Sequence, residues 1–594
     1  IPTLARTTIL SIRYFWSKAS VMSSPVRIID TSYVDVPTTT TPPPDPIKLT
    51  SMEAIWVAFP VLQHVLLFED AGMPPVDAVL QSLKSSLAAT LASFAPLAGK
   101  LVHLKDTGDV AISCSPSDSV KFVVAESDTD VRRLAGDEEH DLPVLKQLVP
   151  DVDMSELPTA VLAVQATRLE GGVAVGLTLH HAVADGRSLW TFVEAWAAAC
   201  RGGGETPATT PTFDRSLIKL PDDEELARRI YRKLAPNLPL VTPPLPREED
   251  RARFTCRTFT LDMADIQRLK QHIVHLGEAD GTSQTRPPST FVAVAALAWT
   301  CFARCRQFAP DDDVLFHFLA DVRARLDPPV DAGYFGVCLT RCLVMIPARE
   351  LHGARALVAA ASAIQHDIRR MSGDPANSQN HLGPTIMDGW DRLMIVSGSP
   401  GFRAYDIADF GWGKPTRTES TRMNHDGQLA LMGARDGQGV QVSVSLLQRS
   451  QMDLFKSQFF ELLGVLLVAA KWHEEIGMQA HTQIGRGQAI GLRHAYEASR
   501  PELPCSCFVH RHFERVWLFR SPFLVFIFWS AGCCMNKDLT WDNFGFLFDS
   551  SYYRLPQNNP AFSSSLHTVD NKCYPFIVTY LILILSNLSN YVFI

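Results

Sequence analysis

The chain lacks the positive charge excess that marks many nucleic-acid-binding proteins. Its 594 residues carry 55 Lys and Arg against 63 Asp and Glu, for a formal net charge of −8. No basic patch interleaved with aromatic residues is present, and such a patch is the usual electrostatic footprint of nucleic-acid recognition. We therefore predict no nucleic-acid partner. The negative overall charge does not exclude binding of an anionic small ligand, because a local pocket need not share the sign of the whole surface.

Two common catalytic patterns are also missing. No set of His, Cys and Asp residues has the spacing of a zinc site, which needs three or four ligands. Gly398-Ser399-Pro400-Gly401 does not supply the Gly-x-Ser-x-Gly elbow on which an α/β serine hydrolase depends. The sequence thus predicts neither a metal centre nor a serine hydrolase.

The cysteines show no disulfide pattern, and no signal peptide is recognisable. Before residue 463 the cysteines are scattered through apolar surroundings, as expected of reduced core thiols; they are Cys114, Cys200, Cys256, Cys301, Cys305, Cys338 and Cys342. We predict a cytoplasmic protein whose core does not enter a membrane.

The most informative stretch that is present runs from Leu179 to Gly186, Leu-His-His-Ala-Val-Ala-Asp-Gly. An apolar run that is typical of a buried strand precedes it, and residues with helical apolar spacing follow it. His181 would therefore lie at a strand end, where a histidine can act as a general base. Asp185 is a candidate N-cap, and Gly186 would supply a backbone angle that other residues resist. Taken alone, the pattern is more often an ordinary hydrogen-bonded histidine than a catalytic one.

A second stretch, Asp409-Phe410-Gly411-Trp412-Gly413-Lys414-Pro415, lies far downstream. Two glycines on either side of a tryptophan predict a turn with an immobilised indole. The single N–H of a buried indole usually finds a hydrogen-bond partner. By itself this stretch indicates only a structural turn.

In this order and at this separation, the two stretches resemble the motifs of the BAHD family of plant acyl-CoA-dependent acyltransferases. The resemblance covers about Ser23 to Leu463. Further stretches agree with the family: Phe94-Ala95-Pro96-Leu97-Ala98-Gly99-Lys100, Asp321-Val322-Arg323-Ala324-Arg325-Leu326 and Gly333-Tyr334-Phe335-Gly336-Val337-Cys338. The last is similar to the Tyr-Phe-Gly-Asn-Cys signature of the anthocyanin and flavonoid glycoside acyltransferase branch, with Val337 in place of Asn.

The resemblance implies an α/β fold of two chloramphenicol-acetyltransferase-like domains, each a mixed β-sheet with helices, with the active-site channel at their interface. We expect an N-terminal acyltransferase domain at 22–200, a crossover linker at 201–250 and a C-terminal acyltransferase domain at 251–472. Residues 1–21 are interpreted as a non-native or targeting-like extension, and 473–594 as an atypical tail.

For the reaction, the resemblance implies that His181 is the general base of a direct acyl transfer from acyl-CoA, without a covalent acyl-enzyme. It implies that Asp185 points away from the channel and pairs with an arginine, here Arg323, in support of the site. Neighbouring strand residues point to opposite faces, so His180 is assigned a structural role. Acyl-CoA is then a co-substrate, no cofactor is held permanently and no metal is needed. The expected partners are acyl-CoA and a small-molecule acceptor, bound by a monomer.

The tryptophan-containing motif has two interpretations within the family. The Trp412 indole N–H is a candidate donor to the oxyanion that forms during acyl transfer. In the competing interpretation, Asp409, Gly411, Trp412 and Gly413 only support the fold.

The branch-like signature implies a sugar hydroxyl of a flavonoid or anthocyanin glycoside as acceptor, with malonyl-CoA or a hydroxycinnamoyl-CoA as donor. Amines and simple phenolics are the runner-up acceptors. A condensation domain of a peptide synthetase shares the His-His-x-x-x-Asp-Gly string and is a rival hypothesis, although the chain carries no recognisable carrier or adenylation module. A non-catalytic helper or binding homologue and a nonfunctional gene product are the remaining hypotheses.

Both ends depart from the family pattern. The first 21 residues carry Arg6, Arg13 and Lys18 without an acidic residue, whereas Met22-Ser23-Ser24-Pro25 is a natural family start. Beyond Trp472 we interpret the chain as translated intronic or untranslated sequence from a faulty gene model. The competing hypothesis for Tyr574–Ile594 is a membrane anchor, because this segment has no charged residue and is near the ~20 residues that span a bilayer.

Overall fold

The structure is a computed structural model, and the chain divides into two compact units, Ile1–His473 and Glu474–Ile594. The described residues are 26–136, 139–202, 210–242, 254–278, 287–375, 389–423, 425–464, 517–521 and 524–528. The predicted N-terminal extension and the apolar end Tyr574–Ile594 lie outside them. Within the described residues, no helix has both the length and the apolar character needed to cross a bilayer.

The strands of the first unit group into two large sheets and one small sheet. In chain order they are β1 (Arg27–Asp35), β2 (Ile47–Lys48), β3 (Leu62–Glu69), β4 (Lys100–Leu104), β5 (Asp109–Ser113), β6 (Ser119–Asp130), β7 (Thr159–Ala160), β8 (Leu162–Glu170), β9 (Gly172–Leu179), β10 (Thr255–Leu261), β11 (Asp313–Asp321), β12 (Leu339–Pro347), β13 (Leu393–Gly398), β14 (Arg417–Ser420), β15 (Gln428–Gly433) and β16 (Val440–Leu446). In the second unit, β17 (Trp517–Ser521) and β18 (Leu524–Phe528) pair antiparallel.

The helices lie between these strands. They are α1 (Ser51–Ala54), α2 (Val76–Leu91), α3 (Val131–Ala135), α4 (Leu142–Gln147), α5 (Gly186–Cys200), α6 (Asp223–Leu234), α7 (Met263–Glu278), α8 (Thr290–Arg304), α9 (Ala348–His352), α10 (Ala356–Gly373) and α11 (Ala404–Ile407). Short 3₁₀ turns cover Ile55–Val57, Ala95–Ala98 and Arg215–Leu217, and residues 449–464 are helical.

Each large sheet has six strands and is mixed. The first has the order β1-β6-β8-β9-β3-β14, with β6 and β8 parallel and the other neighbours antiparallel. The second has the order β10-β16-β15-β13-β11-β12, in which β13 runs parallel to both β11 and β15. With helices packed on both sheets, the predicted α/β fold class with two sheet-containing domains is confirmed.

Several predicted elements are present because their sequence patterns are strong. The leucine stripe of α2 places Leu83, Leu87 and Leu91 fully in the core. The predicted hairpin forms from β8 and β9, and its turn is closed by Gly171, whose φ of 70° favours glycine. The predicted apolar helix is α8, whose residues from Val292 to Ala303 are all buried.

One segment from the C-terminal part of the chain packs on the first sheet. Strand β14 comes from the C-terminal part of the chain but pairs with β3, at the edge of the first sheet. Phe410 is 1% exposed and belongs to the apolar core of the N-terminal part, with Trp412 packed against it. The segment around 409–420 therefore completes the N-terminal half, because Phe410 is buried in its core and β14 extends its sheet.

Candidate active site

A strand, a tight loop and a helix position the His-x-x-x-Asp motif. Every residue of β9 is buried, and the strand ends at Leu179, directly before the two histidines. Helix α5 begins at Gly186, and its N-cap Asp185 accepts a hydrogen bond from the Ser188 N–H at 3.0 Å. The motif therefore forms the connection between a central strand and a buried helix.

His181 is half-buried and oriented by two contacts. Its ring stacks on the indole of Trp56, with 3.8 Å between centroids and 18° between planes. Its Nδ1 lies 3.1 Å from the Ala184 carbonyl oxygen. Because a carbonyl oxygen only accepts hydrogen bonds, this contact places a proton on Nδ1. In the neutral ring, the lone pair is then on Nε2.

The surroundings of His181 keep its ring neutral. Burial lowers the pKa of His181 to about 4, although the Asp185 carboxylate and the Ala184 carbonyl raise it in part. At neutral pH the imidazole is therefore neutral, with a proton on Nδ1 and a free lone pair on Nε2, which is the state that a general base needs.

His180 is 1% exposed and faces a different environment from His181. Its Nδ1 accepts a hydrogen bond from the Ala182 N–H at 3.2 Å, and its backbone N–H donates to the Val161 carbonyl. Burial lowers its pKa to about 3. These contacts suit the structural role predicted for it.

Asp185 forms a buried ion pair with Arg323, as the family resemblance implied. Arg323 Nη1 lies 2.8 Å from Asp185 Oδ2, and the two side chains are 2% and 1% exposed. Burial alone would raise the pKa of Asp185, but the Arg323 guanidinium outweighs burial and the pKa is lowered. The carboxylate is thus fixed as an anion that faces Arg323.

This pair also holds the segment Gly333–Cys338. Asp185 Oδ2 accepts the Cys338 N–H at 3.1 Å, and Arg323 Nη2 donates to the Gly336 carbonyl at 3.1 Å. The Ser188 hydroxyl donates to the same carbonyl at 2.9 Å. Three of the stretches that carry the family resemblance, Leu179–Gly186, Asp321–Leu326 and Gly333–Cys338, therefore meet at one buried point.

A second buried ion pair, which no local sequence pattern indicates, contacts the same segment. Arg215 Nη2 lies 2.8 Å from Glu53 Oε1, and the two side chains are 9% and 0% exposed. Arg215 Nη1 donates to the Phe335 carbonyl at 2.7 Å, and the Val337 N–H donates to Glu53 Oε1 at 3.3 Å. Because Val337 makes its contact with Glu53 through the backbone N–H, the contact does not depend on the replacement of Asn by Val.

Glu53 and Trp56 gave no recognisable signal in the sequence. They lie in a short helical stretch, where a glutamate and an aromatic residue normally face solvent and core respectively. The contact of Trp56 with His181 and those of Glu53 with Arg215 and Val337 arise from long-range packing, which a local pattern does not encode.

The special backbone angle predicted for Gly186 is not observed. Its φ is not in the left-handed region; Gly186 is simply the first residue of α5. A Cβ at this position would lie 2.8 Å from Cε2 of Phe402, so any other residue would have to displace the Phe402 ring. That contact brings the loop after β13 against the start of α5.

The Asp409–Gly413 motif forms the predicted turn. Asp409 Oδ1 accepts hydrogen bonds from the Gly411 N–H at 2.8 Å and the Gly413 N–H at 3.0 Å. Both glycines have positive φ values, 104° and 100°, which other residues resist. Trp412 stacks on Phe410 at 5.6 Å, and its buried Nε1 makes no hydrogen bond to any described residue.

The catalytic role considered for Trp412 is contradicted by its position. The indole packs 6.0 Å from the ring of Phe68, six residues along β3 from Leu62. Leu62 pairs with Leu179, beside the histidines, so about 20 Å of strand separates Trp412 from His181. The indole N–H therefore cannot reach an oxyanion that forms beside His181.

Helix α5 gives an independent measure of the same separation. Arg201, just after the C-terminal end of α5, donates to the Asp409 carbonyl at 2.5 Å, whereas Asp185 caps the other end. A helix of 15 residues is about 22 Å long. The interpretation in which Asp409, Gly411, Trp412 and Gly413 support the fold is the one that fits.

The described residues contain no group of three His, Cys, Asp or Glu side chains that could hold a metal ion. A cavity of about 250 Å³ is lined in part by Thr290, Pro400, Arg403 and Gly439, so residues on both sides of Phe402 contribute to it. The cavity therefore adjoins the loop that packs against the start of α5.

Comparison with known proteins decides the family. The Transferase family profile matches residues 25–462, almost the whole first unit. The chain belongs to the BAHD transferase family.

Curated relatives span the same region. The phenolic glucoside malonyltransferase 1 of Bemisia tabaci is 31% identical over 441 residues, which cover 71% of this chain and 93% of that protein. The protein of the same name from Arabidopsis thaliana is 28% identical and covers 73% of this chain and 97% of the relative. The agmatine coumaroyltransferase of Arabidopsis thaliana is 28% identical, over 74% of this chain and 99% of that protein.

Solved structures show the same fold. Vinorine synthase superposes with a TM-score of 0.56 at 22% identity, over 72% of this chain and 96% of that one. F. sporotrichioides TRI101, solved with coenzyme A and T-2, gives a TM-score of 0.52 at 18% identity, over 69% and 97% of the two chains. Through its family the chain is an acyltransferase, and BAHD acyltransferases use acyl-CoA as co-substrate.

Proposed function

We propose that this BAHD protein transfers an acyl group directly from acyl-CoA to a hydroxyl group of a plant specialised metabolite, with His181 as general base. The observation that carries the proposal is the state of the His181 ring. The Ala184 carbonyl fixes the proton on Nδ1 at 3.1 Å, and burial keeps the ring neutral. Nε2 is therefore ready to accept a proton from an alcohol.

The reaction balances without a covalent enzyme intermediate. An acceptor hydroxyl gives its proton to His181 Nε2 while its oxygen attacks the thioester carbonyl carbon. The tetrahedral intermediate collapses by breaking the C–S bond, and the imidazolium returns the proton to the departing CoA thiolate. General base catalysis of this kind typically contributes about 10²- to 10⁴-fold to the rate.

Asp185 and Arg323 support this chemistry without taking part in it. Their mutual ion pair at 2.8 Å turns the carboxylate away from the His181 ring, and Asp185 caps α5. The pair holds the loop in which His181 lies between β9 and α5. The proposed role of both residues is to position the base.

The preferred acceptor that we propose is a sugar hydroxyl of a phenolic, flavonoid or anthocyanin glycoside, and the preferred donor is malonyl-CoA or a hydroxycinnamoyl-CoA. Support comes from relatives whose names specify malonyl transfer to phenolic and anthocyanin glucosides. The Tyr334-Phe335-Gly336 stretch, similar to that branch's signature, agrees. Amine acceptors are the second candidate, because one relative is named an agmatine coumaroyltransferase.

The test is a free-thiol release assay on the full chain. Malonyl-CoA, coumaroyl-CoA and acetyl-CoA are each combined with a flavonoid glucoside, a simple phenolic glucoside, agmatine and a simple phenol, and products are identified by mass spectrometry. We expect acylated glucoside and an equal amount of free CoA. Acylated agmatine alone would favour the second candidate.

Absence of both free CoA and acylated acceptor would contradict acyl transfer to an acceptor and favour a non-catalytic homologue. Transfer that requires a carrier-protein thioester, with none from free acyl-CoA, would favour a condensation domain. The matched control is His181→Ala, which keeps the ion pair between Asp185 and Arg323 intact.

A further inference from the structure

The indole of Trp56 forms one wall of the position that His181 occupies. The two rings are nearly parallel, at 18°, and their centroids lie 3.8 Å apart. The other aromatic neighbour of Trp56, Phe59, meets it edge-on, with 5.9 Å between ring centroids. The imidazole of His181 therefore stacks on the flat face of the Trp56 indole.

Trp56 is fixed by the residues just before it. Glu53 lies three residues earlier in the same helical stretch, is fully buried and accepts the Thr50 N–H at 2.9 Å. Its ion pair with Arg215 ties this stretch to the segment after residue 210. The Val337 N–H donates to the same carboxylate at 3.3 Å.

The two buried ion pairs act on one segment from two sides. Glu53 and Arg215 bind the backbone of Phe335 and Val337, whereas Asp185 and Arg323 bind that of Gly336 and Cys338. The backbone groups of this extended segment thus alternate between the two pairs. Glu53 lies in the same helical stretch as Trp56, and Asp185 lies in the same loop as His181. Because both ion pairs bind the segment, it sets the spacing between the two rings.

We propose that Trp56 is a positioning residue for His181: it holds the imidazole on its indole face and stabilises the imidazolium that forms when the base takes the acceptor's proton. This proposal rests on the proposed function. A cation close to an aromatic face is attracted by the negative face of the ring, most strongly for tryptophan. The stack is therefore stronger when His181 carries the proton, which is the condition for lowering a barrier and not merely for binding.

The surroundings make this stabilisation important. Burial opposes a charge on His181, and its Asp185 neighbour is already committed to Arg323 at 2.8 Å. A ring face can stabilise the transient cation without being a base itself. Trp56 meets that requirement, because its contact with His181 is through the ring faces.

The test compares Trp56→Phe with Trp56→Leu in the full chain. Both variants remove the indole, but only phenylalanine keeps an aromatic face for His181. We expect Trp56→Leu to lower kcat about 3- to 30-fold, the range that a cation–π contact supplies, with KM close to the wild-type value. Trp56→Phe should recover most of kcat. Phe59→Leu is the matched control and should lower kcat less than Trp56→Leu does.

A second measurement is independent of activity. In protein labelled at histidine Cε1, with the His181 signal assigned by its loss in His181→Gln, the stack predicts a ring-current shift of the His181 Hε1 resonance. The shift should persist in Trp56→Phe and disappear in Trp56→Leu. Glu53→Gln, which weakens the anchor of Trp56, should reduce it.

The outcomes separate this proposal from the proposed function. Equal loss of kcat in Trp56→Phe and Trp56→Leu, or an Hε1 shift that survives in Trp56→Leu, would overturn the role of Trp56. Wild-type protein that acylates no acceptor would sink the proposed acyl transfer, whereas the Hε1 shift would still decide whether Trp56 positions His181.

Discussion

Removal of Asp185 is the perturbation whose consequence the structure specifies most fully. In Asp185→Ala the Arg323 guanidinium, 2% exposed, loses the carboxylate at 2.8 Å and keeps Asp321 at 3.2 Å, together with the Gly336 carbonyl. Breaking a buried ion pair from one side costs about 3–5 kcal/mol, because a charge is left in the interior. Since Asp321 compensates in part, we expect the free energy of unfolding to fall by about 3–4 kcal/mol. This figure includes the loss of the N-cap of α5.

The charge explanation makes a further prediction for the double variant. Asp185→Ala combined with Arg323→Met leaves neither charge buried, so the two losses should not add. We expect a coupling energy of about 1–3 kcal/mol, in the range found for residues in direct contact. Purely additive losses would mean that the ion pair itself contributes nothing.

The assay is urea unfolding followed by fluorescence, with the midpoint and the m value compared between variants. Asp311→Ala removes an exposed ion pair with Arg349 and serves as control, because exposed pairs contribute little. Activity is measured on the same samples. Asp185→Ala protein that is as stable as wild type but has a lower kcat would refute the structural assignment of Asp185.

Three other outcomes follow from the site. Because burial lowers the pKa of His181 to about 4, kcat/KM should stay level from neutral pH downwards and fall only as pH approaches 4; an acidic limb centred near 6.5 would contradict the buried base. Trp412→Phe should lower the urea midpoint but leave kcat near wild type, whereas a 10²- to 10³-fold loss of kcat, about that of an oxyanion donor, would restore its catalytic role. Burial lowers the pKa of His180 to about 3 and that of His425 to about 4, so between pH 6.5 and pH 4 the unfolded chain binds more protons than the folded chain. The free energy of unfolding should therefore fall as the pH drops from 6.5 towards 4, and urea midpoints that stay constant across that window would contradict this.

The elements with strong local patterns could be predicted from the sequence. The strand before His181, the helix after Asp185 and the stripe of α2 each follow from apolar periodicity. The pairing of Asp185 with Arg323 could be expected only through the family resemblance, since 138 residues of chain separate them. Their contact depends on how the two halves pack together.

Other features had no local signal. Trp56 and Glu53 lie more than 120 residues before His181, and only long-range packing brings the indole onto the imidazole. Gly186 suggested a special backbone angle, whereas in the structure the Phe402 ring approaches it too closely to leave room for a Cβ unless the ring shifts. Trp412 suggested a catalytic indole, but the length of β3 places it at the wrong end of the strand.

The most direct measurement is the rate of acyl transfer by His181→Ala, in the full chain, with the best donor and acceptor of the thiol release assay. Because the Asp185–Arg323 pair does not involve the imidazole, this variant should keep the wild-type unfolding midpoint. We predict that its kcat falls by about 10²- to 10⁴-fold. Turnover near the wild-type value in a folded His181→Ala protein would contradict the assignment of His181 as the general base.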